Sequence, residues 1–220
     1  MIAHKLKAIF IHIAKTAGSS IEVALDAVEK TNEGSTDPAT GDFVPVVTGD
    51  EKHLTAKDTR VLVGDEVWNS YYKFTIVRNP FDRLHSLWWN SRFMGKHHEF
   101  ELPEFAEYYL EQSLMGKIRG FLDGRRRMHE RFWPQYEFIS SGNGKMEMDY
   151  VIRFENIKED FAVVAQRLGL PSLEAPKILH KNRNPKSRRS YVEDYTDRAR
   201  DFVSDVYRDD MREFGYSFGE

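Results

Sequence analysis

The sequence predicts an α/β fold of three layers, with a largely parallel central sheet flanked by helices. Two observations predict this class. Short β-rich runs of nearly continuous apolar residues alternate with stretches in which apolar residues recur at helical spacing. Continuous apolar runs are typical of strands covered on both faces, as in parallel sheets. The chain has 220 residues and no composition shift, so we expect a single domain over residues 1–220.

The first half of the chain begins with a buried strand. Residues 6–13 (LKAIFIHI) are almost entirely apolar, and a helix follows in which one face carries Ile21, Leu25 and Val28. Residues 31–50 are rich in Gly, Thr, Asp and Pro and have little periodicity, which indicates a long surface loop. The chain therefore opens as strand, tight turn and helix.

The same order recurs twice further along the chain. A second strand at 73–78 leads to a helix with Pro80 at its first position. A third strand at 148–154 is followed by a helix that ends near Gly169. Apolar residues at helical spacing between Phe202 and Met211 predict a last helix that ends near FGY, residues 214–216. These repeats predict parallel strands joined by helices.

Composition excludes several classes of function. The formal net charge is -3, so no general basic bias indicates a nucleic-acid partner. There is no cysteine, which excludes disulfides, thiolate metal ligands and a thiol nucleophile. The apolar stretch 8–14 contains His12 and is too short to span a membrane and too polar for a signal peptide. We therefore expect a soluble, cytoplasmic protein with no membrane span.

The first motif that carries chemistry is His12–Ser20 (HIAKTAGSS), at the turn from strand to helix. The N–H groups and dipole of a helix start, together with the Lys15 ammonium, are suited to bind an anion. Hydroxyl groups follow in the same motif at Thr16, Ser19 and Ser20. It is not a Walker A loop, because Lys15 precedes Gly18 instead of following the last glycine. The alternative is a structural turn with an exposed lysine and capping serines.

The second motif is Val77–Ser86 (VRNPFDRLHS), again at the end of a strand. Arg78 presents a planar fork suited to a phosphate, and Ser86, about two turns later, can add a hydroxyl donor. Arg83 is a second candidate, but Arg78 is expected nearer the sheet edge, where ligands of open α/β sheets bind. A structural, salt-bridged Arg78 is the alternative.

Together these motifs resemble those of sulfotransferases that use 3'-phosphoadenosine 5'-phosphosulfate (PAPS). The similarity is to the carbohydrate-type family, which includes heparan sulfate 2-O-sulfotransferases and bacterial members. FIHIAKTAGSS is similar to the family's 5'-phosphosulfate loop, FIHIPKTAGTS, with Ala14 in place of proline, and FTIVRNPFDRLHSLWW is similar to its 3'-phosphate motif, VRNPxDRxxS. The resemblance continues through KHLTAKD, WPQYEFI, DYVIRFENIKEDF and YRDDMREFGY, so it spans nearly the whole chain.

The resemblance implies a P-loop-like fold and transfer of a sulfuryl group from PAPS to a hydroxyl acceptor, a saccharide or another alcohol, with 3',5'-ADP as product. It implies that Arg78 and Ser86 bind the 3'-phosphate. In similar sulfotransferases a loop closes over the nucleotide near 181–189, so Arg188, Arg189 and Tyr191 are expected at the 3'-phosphate or adenine. The phosphosulfate is expected to be bound by Lys15, Thr16, Ala17, Gly18, Ser19 and Ser20.

A hydroxyl acceptor must lose its proton during such a transfer, and a neutral imidazole suits that task near neutral pH. The family carries a histidine between its two donor motifs, often in HxT, and by that similarity His53 (HLT) is the expected base. His12 is expected to orient the loop and is the next candidate. An acidic residue of the 31–50 loop follows it.

In an in-line displacement, Lys15 would stabilise the charge on the leaving phosphate oxygen. Protein donors would supply the positive charge, so no metal is expected. Two alternatives stay open. A kinase using ATP and magnesium is disfavoured by the position of Lys15 and by the lack of an identifiable Walker B strand. The other is a nucleotide-binding or sulfated-ligand-binding module without catalysis. The basic runs Arg125–Arg127 and Lys181–Arg189 are more often solvated surface.

Overall fold

The structure is a computed structural model that describes residues 1–30, 53–93, 99–111, 130–141, 144–170 and 190–220. The predicted loop 31–50, the basic run 125–127 and Arg189 lie outside the described residues.

One open sheet of four strands forms the centre of the first of two compact units, which comprises Met1–Val77 and Glu137–His180. Its strands lie in chain order, with the first pair antiparallel and the two following pairs parallel. The strands are β1 (Ile2–Ala3), β2 (Ala8–Ile11), β3 (Tyr72–Val77) and β4 (Tyr150–Arg153). The predicted α/β class with a largely parallel sheet is thus confirmed.

Helices occupy much of the remaining described chain. In order they are α1 (Gly18–Lys30), α2 (Ala56–Ser70), α3 (Pro80–Phe93), α4 (102–111), α5 (Gln135–Ile139), α6 (Ile157–Arg167), α7 (Asp197–Val206) and α8 (Arg208–Phe214). Within the described residues, none of them is long and apolar enough to cross a membrane.

The core of the first unit lies where α1 and α6 cover the sheet. Phe10 of β2 and Phe74 of β3 pack with Ile21 of α1 and with Phe161 and Val164 of α6. All five side chains are buried, and burial of such apolar surface is the main stabilising contribution to folding. This core holds β2 and the start of α1, and so fixes both ends of the loop that joins them.

The second unit comprises Arg78–Tyr136 and Lys181–Glu220. Its core is formed by apolar residues of α3, α4 and α7, among them Phe81, Leu84, Phe105 and Val203. The prediction of one domain over 1–220 stays a prediction.

Two helices differ most from the predictions. The last predicted helix consists of two, α7 and α8, which are separated at Tyr207, where φ is −103° and ψ is 26°. The helix α2 was not predicted at all, because Val61 and Leu62 are 79% and 53% exposed and define no buried face. Within α2, Gly64 has a non-helical φ of 78° and ψ of 162°.

Candidate functional site

The loop between β2 and α1 has an unusual main-chain conformation. Lys15 and Ala17 both have a φ of 69°, in the left-handed region, whereas φ is not positive at Thr16 and Gly18. A left-handed φ at a residue with a side chain costs about 1–3 kcal/mol and is found most often at functional sites. Alternation of the two hands turns successive N–H groups toward one concave side, which is the geometry of anion-binding nests.

Hydrogen bonds within the loop hold this conformation. The Thr16 hydroxyl is fully buried and donates to the carbonyl oxygen of Ile13 over 2.9 Å, and the Ser20 N–H donates to the carbonyl oxygen of Ala17 over 2.9 Å. The hydrogen of the Thr16 hydroxyl is therefore directed at the loop itself. Any contact of Thr16 with an anion would come from its main-chain N–H.

Gly18 is required by a close contact with His12. A Cβ atom at position 18 would lie 2.9 Å from Cγ and 2.5 Å from Nε2 of the His12 imidazole, closer than van der Waals contact allows. Gly18 does not have a positive φ, so the reason for glycine here is space and not backbone conformation. The His12 ring, directly after β2, thus packs against the main chain of the loop at Gly18.

The His12 ring is buried, with 4% exposure, and is held on several sides. Its Nδ1 lies 2.8 Å from Oε1 of Glu22 in the first turns of α1. Its face stacks on Phe10, with ring centroids 5.7 Å apart. His12 therefore links β2, the loop and α1, as expected of a residue that orients the loop. Glu22 carries no motif signal and was missed from the sequence.

His53 lies against this same group of residues. Its ring packs edge-on against the His12 ring, with centroids 4.7 Å apart, and its Nδ1 is 3.0 Å from the His12 carbonyl oxygen. A carbonyl oxygen can only accept, so Nδ1 carries the hydrogen. The start of α2 follows at once, where the Thr55 side chain caps the helix by accepting from the Asp58 N–H over 3.1 Å. The structure thus brings His53 together with the Lys15 loop within the first unit.

In the second unit, Arg78 directly follows β3 and forms an ion pair on α3. Its Nε donates to Oδ2 of Asp82 over 2.7 Å, and both side chains are mostly buried. Asp82 and Ser86 are one helical turn apart, so both lie on the same face of α3. The structure therefore aligns Arg78 with the face that carries Ser86. The salt bridge foreseen as the structural alternative for Arg78 is present, and it orients the guanidinium from one edge.

The side chain of Gln135 forms hydrogen bonds to both polar groups of the Arg78 main chain. The Arg78 N–H donates to Oε1 of Gln135 over 2.9 Å, and Nε2 of Gln135 donates to the Arg78 carbonyl oxygen over 2.8 Å. Gln135 in turn contacts the carboxylate of Asp210, which accepts from its Nε2 over 3.1 Å and from its N–H over 2.8 Å. Both residues lie in segments that carry the family resemblance, WPQYEFI and YRDDMREFGY, but neither was a predicted site residue.

Asp210 is a fully buried carboxylate. Desolvation by burial raises the pKa of its carboxyl group, while Arg83 and the N–H groups of Gln135 and Tyr136 act in the opposite direction. Arg83 is also fully buried, and its guanidinium donates to the carbonyl oxygens of Arg131, over 3.3 Å, and of Trp133, over 2.6 Å. Arg83 is thus held by main-chain carbonyl groups in the interior, and the choice of Arg78 over Arg83 as the phosphate ligand stays a prediction.

Tyr191 begins a short turn that is attached to α3. The turn is held by a contact of 2.9 Å between His85 Nε2 and Asp194 Oδ2, and by the Tyr195 hydroxyl, which donates to the Phe81 carbonyl oxygen over 3.0 Å. The Tyr191 oxygen accepts from the Gly219 N–H over 2.9 Å. Arg189, its expected companion, lies outside the described residues.

A comparison with protein families identifies the chain. The model of the sulfotransferase family matches residues 1–217, nearly its whole length. The chain therefore belongs to the sulfotransferase family, and its activity is that of a transferase of sulfuryl groups. Searches of curated proteins and of solved structures gave no match. The family resemblance carried by the two motifs is thereby confirmed.

Proposed function

We propose that the protein transfers the sulfuryl group of PAPS to a hydroxyl acceptor, a saccharide or another alcohol. The observation that carries the proposal is the position of His53 beside the Lys15 loop, through its hydrogen bond to His12. Sulfuryl transfer to an alcohol requires two components. One is a main chain shaped to bind an anion, and the other is an imidazole whose protonated ring nitrogen is defined.

The donor would be bound by two groups of residues. The main-chain N–H groups of Lys15–Ser20 and the Lys15 ammonium take the 5'-phosphosulfate. Arg78 and Ser86 take the 3'-phosphate, with Arg189 and Tyr191 at the 3'-phosphate or adenine. The motif that contains Lys15 begins at His12, directly after β2, within the first unit. Ligands of open α/β sheets bind at the carboxyl ends of strands.

The reaction is an in-line displacement at sulfur. The acceptor oxygen forms a bond to sulfur while the bond from sulfur to the bridging phosphate oxygen breaks, which releases 3',5'-ADP. The electron pair of the broken bond stays on the phosphate oxygen, where Lys15 stabilises the developing charge. The hydroxyl proton passes to Nε2 of His53, the ring nitrogen that has its lone pair when Nδ1 carries the hydrogen.

Binding to immobilised 3',5'-ADP in competition with ATP tests the donor class. A PAPS-dependent enzyme is retained and is eluted by free 3',5'-ADP, but not by the same concentration of ATP with magnesium. Retention on ATP alone would instead support a kinase. Release of 3',5'-ADP from PAPS then separates an enzyme from a module that only binds, because a module binds the donor without consuming it.

A further inference from the structure

We propose that Gln135 and Asp210 act as positioning residues for the 3'-phosphate ligand Arg78. The inference rests on the proposed function, since it takes Arg78 as the residue that binds this phosphate. It assigns the WPQY segment and the last helix α8, on which Asp210 lies, a part in donor recognition.

Gln135 and Arg78 are joined by a pair of hydrogen bonds. Both polar groups of the Arg78 main chain pair with one side-chain amide, at 2.9 Å and 2.8 Å. Arg78 lies after the last residue of β3 and before the first residue of α3. The amide of Gln135 satisfies both the donor and the acceptor of the Arg78 main chain at this point between two regular elements.

The buried carboxylate of Asp210 determines how the Gln135 amide is oriented. A side-chain amide can pair in two orientations that differ by a flip of its oxygen and nitrogen. Asp210 accepts hydrogen bonds only, so the Gln135 nitrogen must face Asp210, and the oxygen must then face the Arg78 N–H. Asp210 is itself fixed by the N–H groups of Gln135 and Tyr136, both at 2.8 Å. The carboxylate thus selects the one amide orientation that fits Arg78.

The guanidinium end of Arg78 is held as well. The Asp82 carboxylate accepts from its Nε over 2.7 Å, so the side chain is oriented at the guanidinium and at the main chain. Asp210 accepts from the N–H groups at the start of α5 and, through Gln135, also holds the main chain of Arg78. Phosphate binding by a planar guanidinium depends on orientation, so a fixed Arg78 main chain serves that contact.

The test compares two nucleotides that differ only in the 3'-phosphate. Dissociation constants for 3',5'-ADP and 5'-AMP are measured by titration calorimetry on the full chain, for the unmodified protein and for Gln135→Met. This change keeps the side-chain length and removes both bonds to Arg78. We expect the preference for 3',5'-ADP over 5'-AMP to fall about tenfold, with 5'-AMP affinity unchanged.

The matched control is Tyr207→Phe, in the same unit. It removes a buried hydroxyl that donates to the Phe132 carbonyl oxygen over 2.8 Å, and it has no bond to Arg78. The control should lose stability and keep the nucleotide preference. If Gln135→Met fails to fold, Asp210→Asn, which preserves shape, decides in its place and should also lower the preference.

Two negative results are distinguishable. A preference in the folded Gln135 or Asp210 variant equal to that of the unmodified protein overturns the positioning role. Absence of any preference in the unmodified protein overturns the assignment of the 3'-phosphate itself, and with it the proposed function.

Discussion

The Nδ1–H group of His53 donates a hydrogen bond to the main-chain carbonyl oxygen of His12 over 3.0 Å. This bond defines the tautomer of the neutral ring and assigns the lone pair to Nε2. His53→Ala should therefore reduce turnover with a poorly acidic alcohol by roughly a hundredfold to ten-thousandfold. The affinity for 3',5'-ADP should hardly change, which calorimetry checks.

The choice of acceptor separates a base from a packing residue. With a nitrophenol, whose hydroxyl is already acidic, His53→Ala should lose much less turnover, and added imidazole should restore part of the rate with the alcohol. Equal losses with both acceptors would show that His53 only orders the loop, and His12 would become the next candidate.

Gly18→Ala should distort the loop, because the added Cβ would overlap the His12 ring. Overpacking of this kind costs about 1–3 kcal/mol of unfolding free energy, and donor binding should weaken with it. Gly169→Ala is the matched control. No heavy atom lies within 4 Å of a Cβ added at position 169, but φ is 73° there, so backbone strain alone should lower the stability of this variant. Chemical denaturation measures both.

A second substitution shows whether the ring is the cause. With His12→Ala in place, space for the Cβ is available, and adding Gly18→Ala should cost much less than it does alone. Additive costs in this double-mutant cycle would contradict the contact as the reason for glycine at this position.

Lys15→Ala should lower turnover by about a hundredfold or more, because in the proposed mechanism the ammonium stabilises charge that develops in the transition state. Stability should be retained. Lys7→Ala is a matched control, since Lys7 is an exposed lysine that also has a positive φ, of 48°. Similar kinetics for the two variants would remove Lys15 from the mechanism.

Arg78 is best tested together with its partner on α3. The double variant Arg78→Met/Asp82→Asn removes the guanidinium without leaving an unpaired carboxylate. It should bind 3',5'-ADP more weakly by roughly 1.5–3 kcal/mol, the contribution of a charge-assisted hydrogen bond. Asp82→Asn alone keeps the guanidinium and a side-chain oxygen that can accept from Arg78 Nε, so it should retain most of the affinity. Were 5'-AMP binding weakened by the same factor, Arg78 would be a structural residue.

The fold was predictable where local patterns determine it. The strand before Lys15 and the helix that begins at Pro80 were both predicted, because apolar runs and helix-start residues are signals within one stretch of chain. The helix α2 has no such signal, since Val61 and Leu62 are exposed and Gly64 interrupts it.

The candidate site was predictable in its motif residues and not in the contacts that support them. The motif indicated Lys15 and Gly18, but not that Gly18 makes room for the His12 ring. Gln135 is 57 residues from Arg78 and 75 from Asp210. Pairs at such separations follow from tertiary packing, and no periodicity in one sequence encodes them.

Transfer of labelled sulfur from PAPS tests the proposed reaction itself. The protein is incubated with sulfur-labelled PAPS and extracts of its source organism, and labelled products and 3',5'-ADP are quantified. We expect label in a hydroxyl-bearing product, with one 3',5'-ADP released per sulfuryl group. This transfer should be lost in Lys15→Ala and kept in Lys7→Ala. Label that stays in PAPS with the folded protein, or that moves equally well with Lys15→Ala, would contradict the proposed reaction.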